Sequence, residues 1–122
     1  MKIIEAIAQI DNLKPNGFTD ADKIRWLSDI DWIIKKEIID SHEDGFVAFN
    51  GYNEDTDLDT ELLVSAPHDD LYLKWLEAKI DYYNNEYKKY NNSSVAFNDA
   101  YSMFERYYNR SHLPKTAKLK FF

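Results

Sequence analysis

The most constraining feature of the sequence is a stripe of isoleucine and leucine behind a strong start signal. Thr19 is followed three residues later by Asp22, a shorter variant of the capping box. Ile24, Leu27, Ile30 or Asp31, Ile34 and Ile38 then recur every three or four residues, and Trp26 and Ile33 widen the stripe into a core face. A face of that width has to be buried, so the chain must supply other helices to cover it. The segment stops near His42, where Glu43, Asp44 and Gly45 break it.

Three further segments carry the same period. Ile3, Ile4, Ile7 and Ile10 predict a short first helix, ended by Pro15 and Gly17 in "LKPNG". Asp69 or Asp70 caps a long third helix, with Leu71, Trp75, Ala78 and Tyr82 on one stripe and Tyr72, Leu76, Tyr83 and Tyr87 on the next. "NNSS" (Asn91 to Ser94) reads as a break and cap. Phe97, Tyr101, Phe104 and Tyr108 then form a last helix, which pairs antiparallel with the third and is stopped by Pro114.

Between the second and third helices, "FVAFNGY" (Phe46 to Tyr52) and "ELLVS" (Glu61 to Ser65) are rich in β-branched and aromatic residues and predict a small hairpin. The expected fold is mainly α: four helices, a β-hairpin between helices 2 and 3, and an extended C-terminal tail. Residues 1–114 form the helical domain and 115–122 a basic, apolar tail.

At 122 residues the chain has the length of one domain, and its 16% aromatic and 44% hydrophobic content is that of a folded protein. No apolar run approaches the ~18 residues of a membrane span, and Glu5 interrupts what a signal peptide would continue. The absence of cysteine excludes disulfides and thiolate metal sites. A net charge of −7 argues against bulk or sequence-specific nucleic-acid binding.

The charge is unevenly placed. From Glu37 to Asp70 there are eleven acids and no lysine or arginine, whereas from Arg106 to Phe122 there are five bases and no acid. Glu54, Asp55, Asp57, Asp59 and Glu61 concentrate the acids, and Lys115, Lys118 and Lys120 the bases. One reading is an acidic surface between subunits, relieved by a neighbour's basic tail in a head-to-tail contact that closes into a ring. The other is two unrelated solvated segments.

Catalytic and metal readings are weaker. Asp55, Asp57 and Asp59 occupy the first, third and fifth places of an EF-hand loop, but Thr60 stands where glycine is required and Ala66 where a bidentate glutamate should close the shell. His42, the His68–Asp69 pair and Asp99 match the order of an HD-type metal-dependent phosphohydrolase, yet Asp69 is better explained as a helix cap and His68 as a surface residue. With glycine only at 17, 45 and 51, no phosphate loop or nucleophile elbow can be built. No catalytic residue, metal ligand or cofactor is therefore assigned. The tyrosines of the last two helices could stack on bases beside Lys88 and Lys89, but their helical spacing favours packing of one helix on the other.

The order of parts resembles a known family. A short first helix, "DKIRWLSDIDWIIKKEII", a hairpin-like middle, "LLVSAPHDDLYLKWLEAKIDYYNNEYKKYNN" and a final aromatic "AFNDAYSMFERYYNR" look like the small head-tail connector proteins (adaptor or head-completion proteins) of tailed phages and prophages of Gram-positive bacteria. The resemblance spans almost the whole chain. It implies a non-enzymatic virion subunit, assembled in the host cytoplasm, that forms a ring under the portal protein, helps seal the packaged head and presents a surface to the next connector or tail protein. It also casts Leu119, Phe121 and Phe122 as portal anchors, escorted by Lys115, Lys118 and Lys120. The hypothesis from another class is a small acidic DNA-mimic inhibitor. Carboxylates spread over most of the surface would favour it, and here they concentrate between Glu37 and Asp70.

Overall fold

The computed structural model describes residues 1–42 and 47–112. Four α-helices account for most of them: α1 (Ile3–Leu13), α2 (Asp20–Glu37), α3 (Leu71–Tyr83) and α4 (Tyr87–Ser111), with single 3-10 turns at Ile39–Ser41 and His68–Asp70. The apolar stripes of α1 and α2 are buried in large part, but Ile4 and Ile33, expected on the core face, are exposed. On α1, Ile3, Ala6, Ile7 and Ile10 are buried, while Ile4 keeps 45% of its surface. On α2, Ile24, Trp26, Leu27, Ile30 and Ile34 are buried, and Ile33 points outward.

The cap of α2 forms as its sequence predicts. The Asp22 N–H donates to Thr19 Oγ1 at 3.1 Å, and the Thr19 N–H donates back to the Asp22 carboxylate at 3.4 Å. Before it, the buried Lys23 ammonium donates to Asp11 at 2.6 Å and to the Phe18 carbonyl at 2.9 Å, which locks the α1–α2 connection.

α3 and α4 form the expected antiparallel hairpin, with ring contacts running in opposite order along the two helices: His68 with Phe104, Trp75 with Phe97, Tyr82 with Tyr90. The break between them is not at Asn91–Ser94. It falls at Asn84 and Asn85, where Asn85 has φ of 60° and a Schellman motif closes: the Glu86 N–H donates to the Asp81 carbonyl and the Asn85 N–H to Tyr82. Asparagine enters the left-handed region more cheaply than most residues, so the turn chemistry lies in the first asparagine pair. "NNSS" stays helical because its hydroxyls are used within the helices. Ser93 donates to the buried Asp81 carboxylate at 2.8 Å, and Ser94 donates back to the Asn91 carbonyl.

The expected β-hairpin does not form: among the described residues there is no strand, and an isolated bridge joins Lys2 to Glu61. The segment expected as its second half pairs instead with the start of α1. Leu62 N–H donates to the Met1 carbonyl, Ile3 N–H to Thr60 and Ile4 N–H to Leu58, at 2.9 to 3.0 Å. Of the first half, Phe46 lies outside the described residues, and residues 49–52 lie against α2, with the Phe49 ring edge-on to Trp32 and the Tyr52 N–H donating to Ser28 Oγ at 3.0 Å. β-Branched and aromatic residues fit any half-buried surface, and here helix α2 and the N-terminal backbone offered a better one than a partner strand.

Gly51 makes that path possible. Its φ is +83°, and a Cβ there would sit 3.1 Å from Trp32 Nε1 and 3.2 Å from Ser28 Oγ. Gly51→Ala should therefore cost about 1–2 kcal/mol in left-handed strain alone. Gly17→Ala, with open space around it, is the control. Chemical denaturation of the two variants checks this, and equal midpoints would refute the assigned role of Gly51.

Candidate functional site

The described middle of the chain (residues 47–67) has no regular structure of its own, and its position is set largely by one buried carboxylate. Asp31 is fully buried on α2. Its Oδ1 accepts from the Tyr72 hydroxyl of α3 at 2.6 Å, and its Oδ2 accepts from the Tyr52 hydroxyl at 2.6 Å and the Leu63 N–H at 3.2 Å. Tyr72 in turn accepts from the Val64 N–H at 2.8 Å. One carboxylate thus clamps both ends of residues 52–64 to two helices, and its lone pairs are met by three donors.

Burial pushes the Asp31 carboxyl above its usual range, opposed in part by the hydrogen bonds from Tyr52, Tyr72 and Leu63. Burial and the adjacent carboxylate also push the Tyr52 and Tyr72 hydroxyls upward, which keeps them as donors. With a folded pKa above the unfolded one, the folded chain binds more protons between the two values, so this group's contribution is fullest below the unfolded value and is lost as pH rises through the folded value.

The clamp holds the acidic loop in a defined shape. The Asp55 N–H donates to Asn53 Oδ1 and the Asp59 N–H to Asp57 Oδ1, two Asx turns, while the Asn53 N–H donates to Thr56 Oγ1 at 2.8 Å. Glu54, Asp55, Asp57, Asp59 and Glu61 all point to the surface. Lys2 reaches Asp59 at 4.0 Å. Between Asp57 and Asp59, Leu58 is 37% exposed, an apolar knob flanked by carboxylates, and its own carbonyl is tied to the N–H of Ile4.

His42 and His68 each have partners within the fold, and the His112 ring lies 6.0 Å from that of His42. His42 is buried, its Nδ1 2.6 Å from the Ile38 carbonyl and its Nε2 2.8 Å from Asn109 Oδ1, so both ring nitrogens are engaged. His68 lies against the Tyr107 ring at 4.8 Å, and Asp99 shares with it and Asp70 an open groove of about 440 Å³. Among the described residues, no three His, Asp or Glu side chains gather to hold a metal ion.

A second surface was not visible as a site in the sequence. On the side of the helical hairpin away from α1, a groove of about 340 Å³ has aromatic walls formed by Trp75, Tyr82, Tyr90 and Phe97, with Ala78 and Lys79 between them. Trp75 is fixed by its indole N–H, which donates to the Trp26 carbonyl at 2.8 Å, and Lys79 Nζ lies 4.6 Å from the centre of its ring. The tyrosines therefore divide. Tyr101 and Tyr108 pack on the core, while Tyr82 and Tyr83 keep 48% of their surface and Tyr87 and Tyr107 are also exposed. Spacing alone could not separate the two groups.

The tail residues Lys115, Lys118, Leu119, Lys120, Phe121 and Phe122 lie outside the described residues, as do Glu43 and Asp44. No described helix is long and apolar enough to cross a membrane. No family model matches the chain, and no curated protein or solved structure matches it.

Two predictions follow from the clamp and the loop. Asp31→Ala leaves two buried hydroxyls and the Leu63 N–H without an acceptor and should cost about 3–5 kcal/mol. In urea melts between pH 4 and neutral, wild type should lose part of its stability with rising pH, and Asp31→Asn should lack that component; parallel pH curves would refute the assignment. By contrast, the triple substitution Asp55→Asn, Asp57→Asn, Asp59→Asn keeps both Asx turns, since an asparagine side-chain oxygen also accepts. Its melting temperature should equal or exceed that of wild type, with calcium shifting neither; a calcium-dependent rise in wild type alone would make the loop an ion site.

Proposed function

We propose that the protein is a non-enzymatic structural subunit of the head-tail connector type, which forms a ring beneath a phage portal and joins the head to the next connector or tail component. The observation that carries this reading is the pre-shaped acidic loop: five exposed carboxylates held by Asx turns and by backbone bonds to α1, on a scaffold whose C-terminal segment is basic. A loop ordered before binding loses little entropy on contact, which suits a docking surface better than a purely solubilising one. The resemblance of the chain's order of parts to connector proteins supplies the partners: portal protein, neighbouring copies and a tail-side component, at the head-tail interface of the virion.

The observations that bear on chemistry fit the same reading. The buried Asp31 and Asp81 are occupied by internal donors, Asp81 by Lys14 and Ser93, and both His42 nitrogens are engaged within the fold. In this reading, Leu119, Phe121 and Phe122 anchor the subunit to the portal, with Lys115, Lys118 and Lys120 beside them.

The test is the portal. Electron microscopy of the full chain with portal-bearing heads should reveal a ring capping the portal vertex, and bare portals at saturating protein would overturn the proposal. Deletion of Lys115 to Phe122 should leave the melting temperature within a few degrees of wild type and abolish co-sedimentation with those particles. A truncated chain that still assembles fully would remove the tail from the docking role.

A further inference from the structure

The aromatic groove and the acidic loop match each other in chemistry but cannot meet within one molecule. The groove is built by Trp75, Ala78, Lys79 and Tyr82 of α3 and by the first half of α4. The loop returns to the opposite end of α3, where the Val64 N–H meets the Tyr72 hydroxyl in the first turn. The groove runs from Trp75, three residues beyond Tyr72, to Tyr82, ten residues beyond it and about 15 Å along a helix. The two surfaces also lie on different sides. α1, to which the loop is tied through Ile3 and Ile4, faces α3 through Glu77 and Asp81, which approach Lys14, whereas the groove opens along Trp75, Lys79 and Tyr82.

We infer that the groove receives the acidic loop of a second copy of this chain, with Leu58 inserted between Trp75, Tyr82, Tyr90 and Phe97 and with Lys79 meeting the carboxylates of Asp57 or Asp59. Three observations select this occupant. Leu58 is an exposed apolar side chain between two acids, and the groove is an aromatic-walled slot, with Ser94 and Asn98 at its edge and a lysine over its wall. Glu54, Asp55 and Asp57 have no ion-pair partner among the described residues, and Lys79 meets only the Trp75 ring there. Both sides are held in place before contact, the loop by its Asx turns and the groove by the Trp75–Trp26 hydrogen bond, so little ordering cost is incurred on docking. Because loop and groove are different patches, the contact is heterologous: each copy offers its loop to one neighbour and its groove to the other, and such contacts generate rings when the rotation closes. The inference deepens the connector reading and rests on it for ring closure, whereas the pairwise contact can be tested alone.

The chain has no cysteine, which makes site-directed cross-linking clean. Asp59→Cys on the loop and Asn98→Cys on the groove rim leave Leu58, Asp57 and Lys79 in place. Equal amounts of the two full-length variants, oxidised free in solution and again on portal-bearing heads, should give the mixed disulfide severalfold above either homodimer. Adding Lys79→Glu to the groove variant should lower that yield by about tenfold, since like charges across a contact repel. Asp57→Lys on the loop variant should then restore it. Circular dichroism of each variant establishes that folding is retained. A statistical mixture of disulfides, or a yield unmoved by Lys79→Glu, overturns the contact. If the mixed disulfide is absent while rings still cap the portal, the loop–groove contact falls and the connector reading stands. If the disulfide forms and portals stay bare, the contact stands and the connector reading falls. Lys79→Glu that weakens portal capping without changing the disulfide would assign the groove to the portal instead.

Discussion

A single buried carboxylate organises the half of this protein that has no regular secondary structure. Asp31 sits in the middle of α2 and accepts from Tyr52, Leu63 and Tyr72, residues brought from three parts of the chain. A charge removed from water is costly unless its lone pairs are met, and here each oxygen has a donor at hydrogen-bond distance. The arrangement therefore selects one path for residues 52–64, which bulk apolar burial would not do.

Asp81 repeats the device at the other end of the helical hairpin. It is buried on α3, paired with Lys14 from the end of α1, and bonded to the Ser93 hydroxyl of α4. Together the two aspartates tie every helix to a neighbour by a directional contact set within an apolar core of isoleucine and leucine. Such contacts do less for net stability than for uniqueness, because a packing that leaves a carboxylate unmet is penalised heavily. The consequence for function is rigidity at two surfaces, the acidic loop clamped by Asp31 and the aromatic groove set by Trp75. Pre-ordered, chemically complementary patches on different sides of one subunit are what the proposed contact between copies requires.

Much of the helical architecture was legible in advance. The Thr19 cap, the α2 stripe, the short α1 and the antiparallel pairing of the last two helices each rest on a local rule of capping or period. Two readings failed for a shared reason, which is competition between local signals that look alike. "NNSS" and the Asn84–Asn85 pair are both polar asparagine-bearing breaks, and the choice was made by Asp81, which draws Ser93 into the helix by accepting its hydroxyl. "FVAFNGY" has the composition of a strand, but Trp32, Ser28 and Asp31 on α2 offered its rings and its backbone better partners.

The sequence by itself determined the helical class, the start of α2, the concentration of acid between Glu37 and Asp70 and the lack of thiol chemistry, because these depend on residue type and on spacings within a few turns. It also marked Glu54 to Glu61 as a surface loop, since carboxylates without bases among them stay in water. Only the tertiary structure decided that Asp31 is a buried acceptor instead of one more acid in a charged helix, that the loop has a defined shape, and that Trp75, Tyr82, Tyr90 and Phe97 line one groove. Apart from the local Asx turns, those facts arise from contacts between residues 21 to 61 positions apart or between two helices. Which of several equally apolar or equally charged side chains faces inward is set by the partners that packing brings to it.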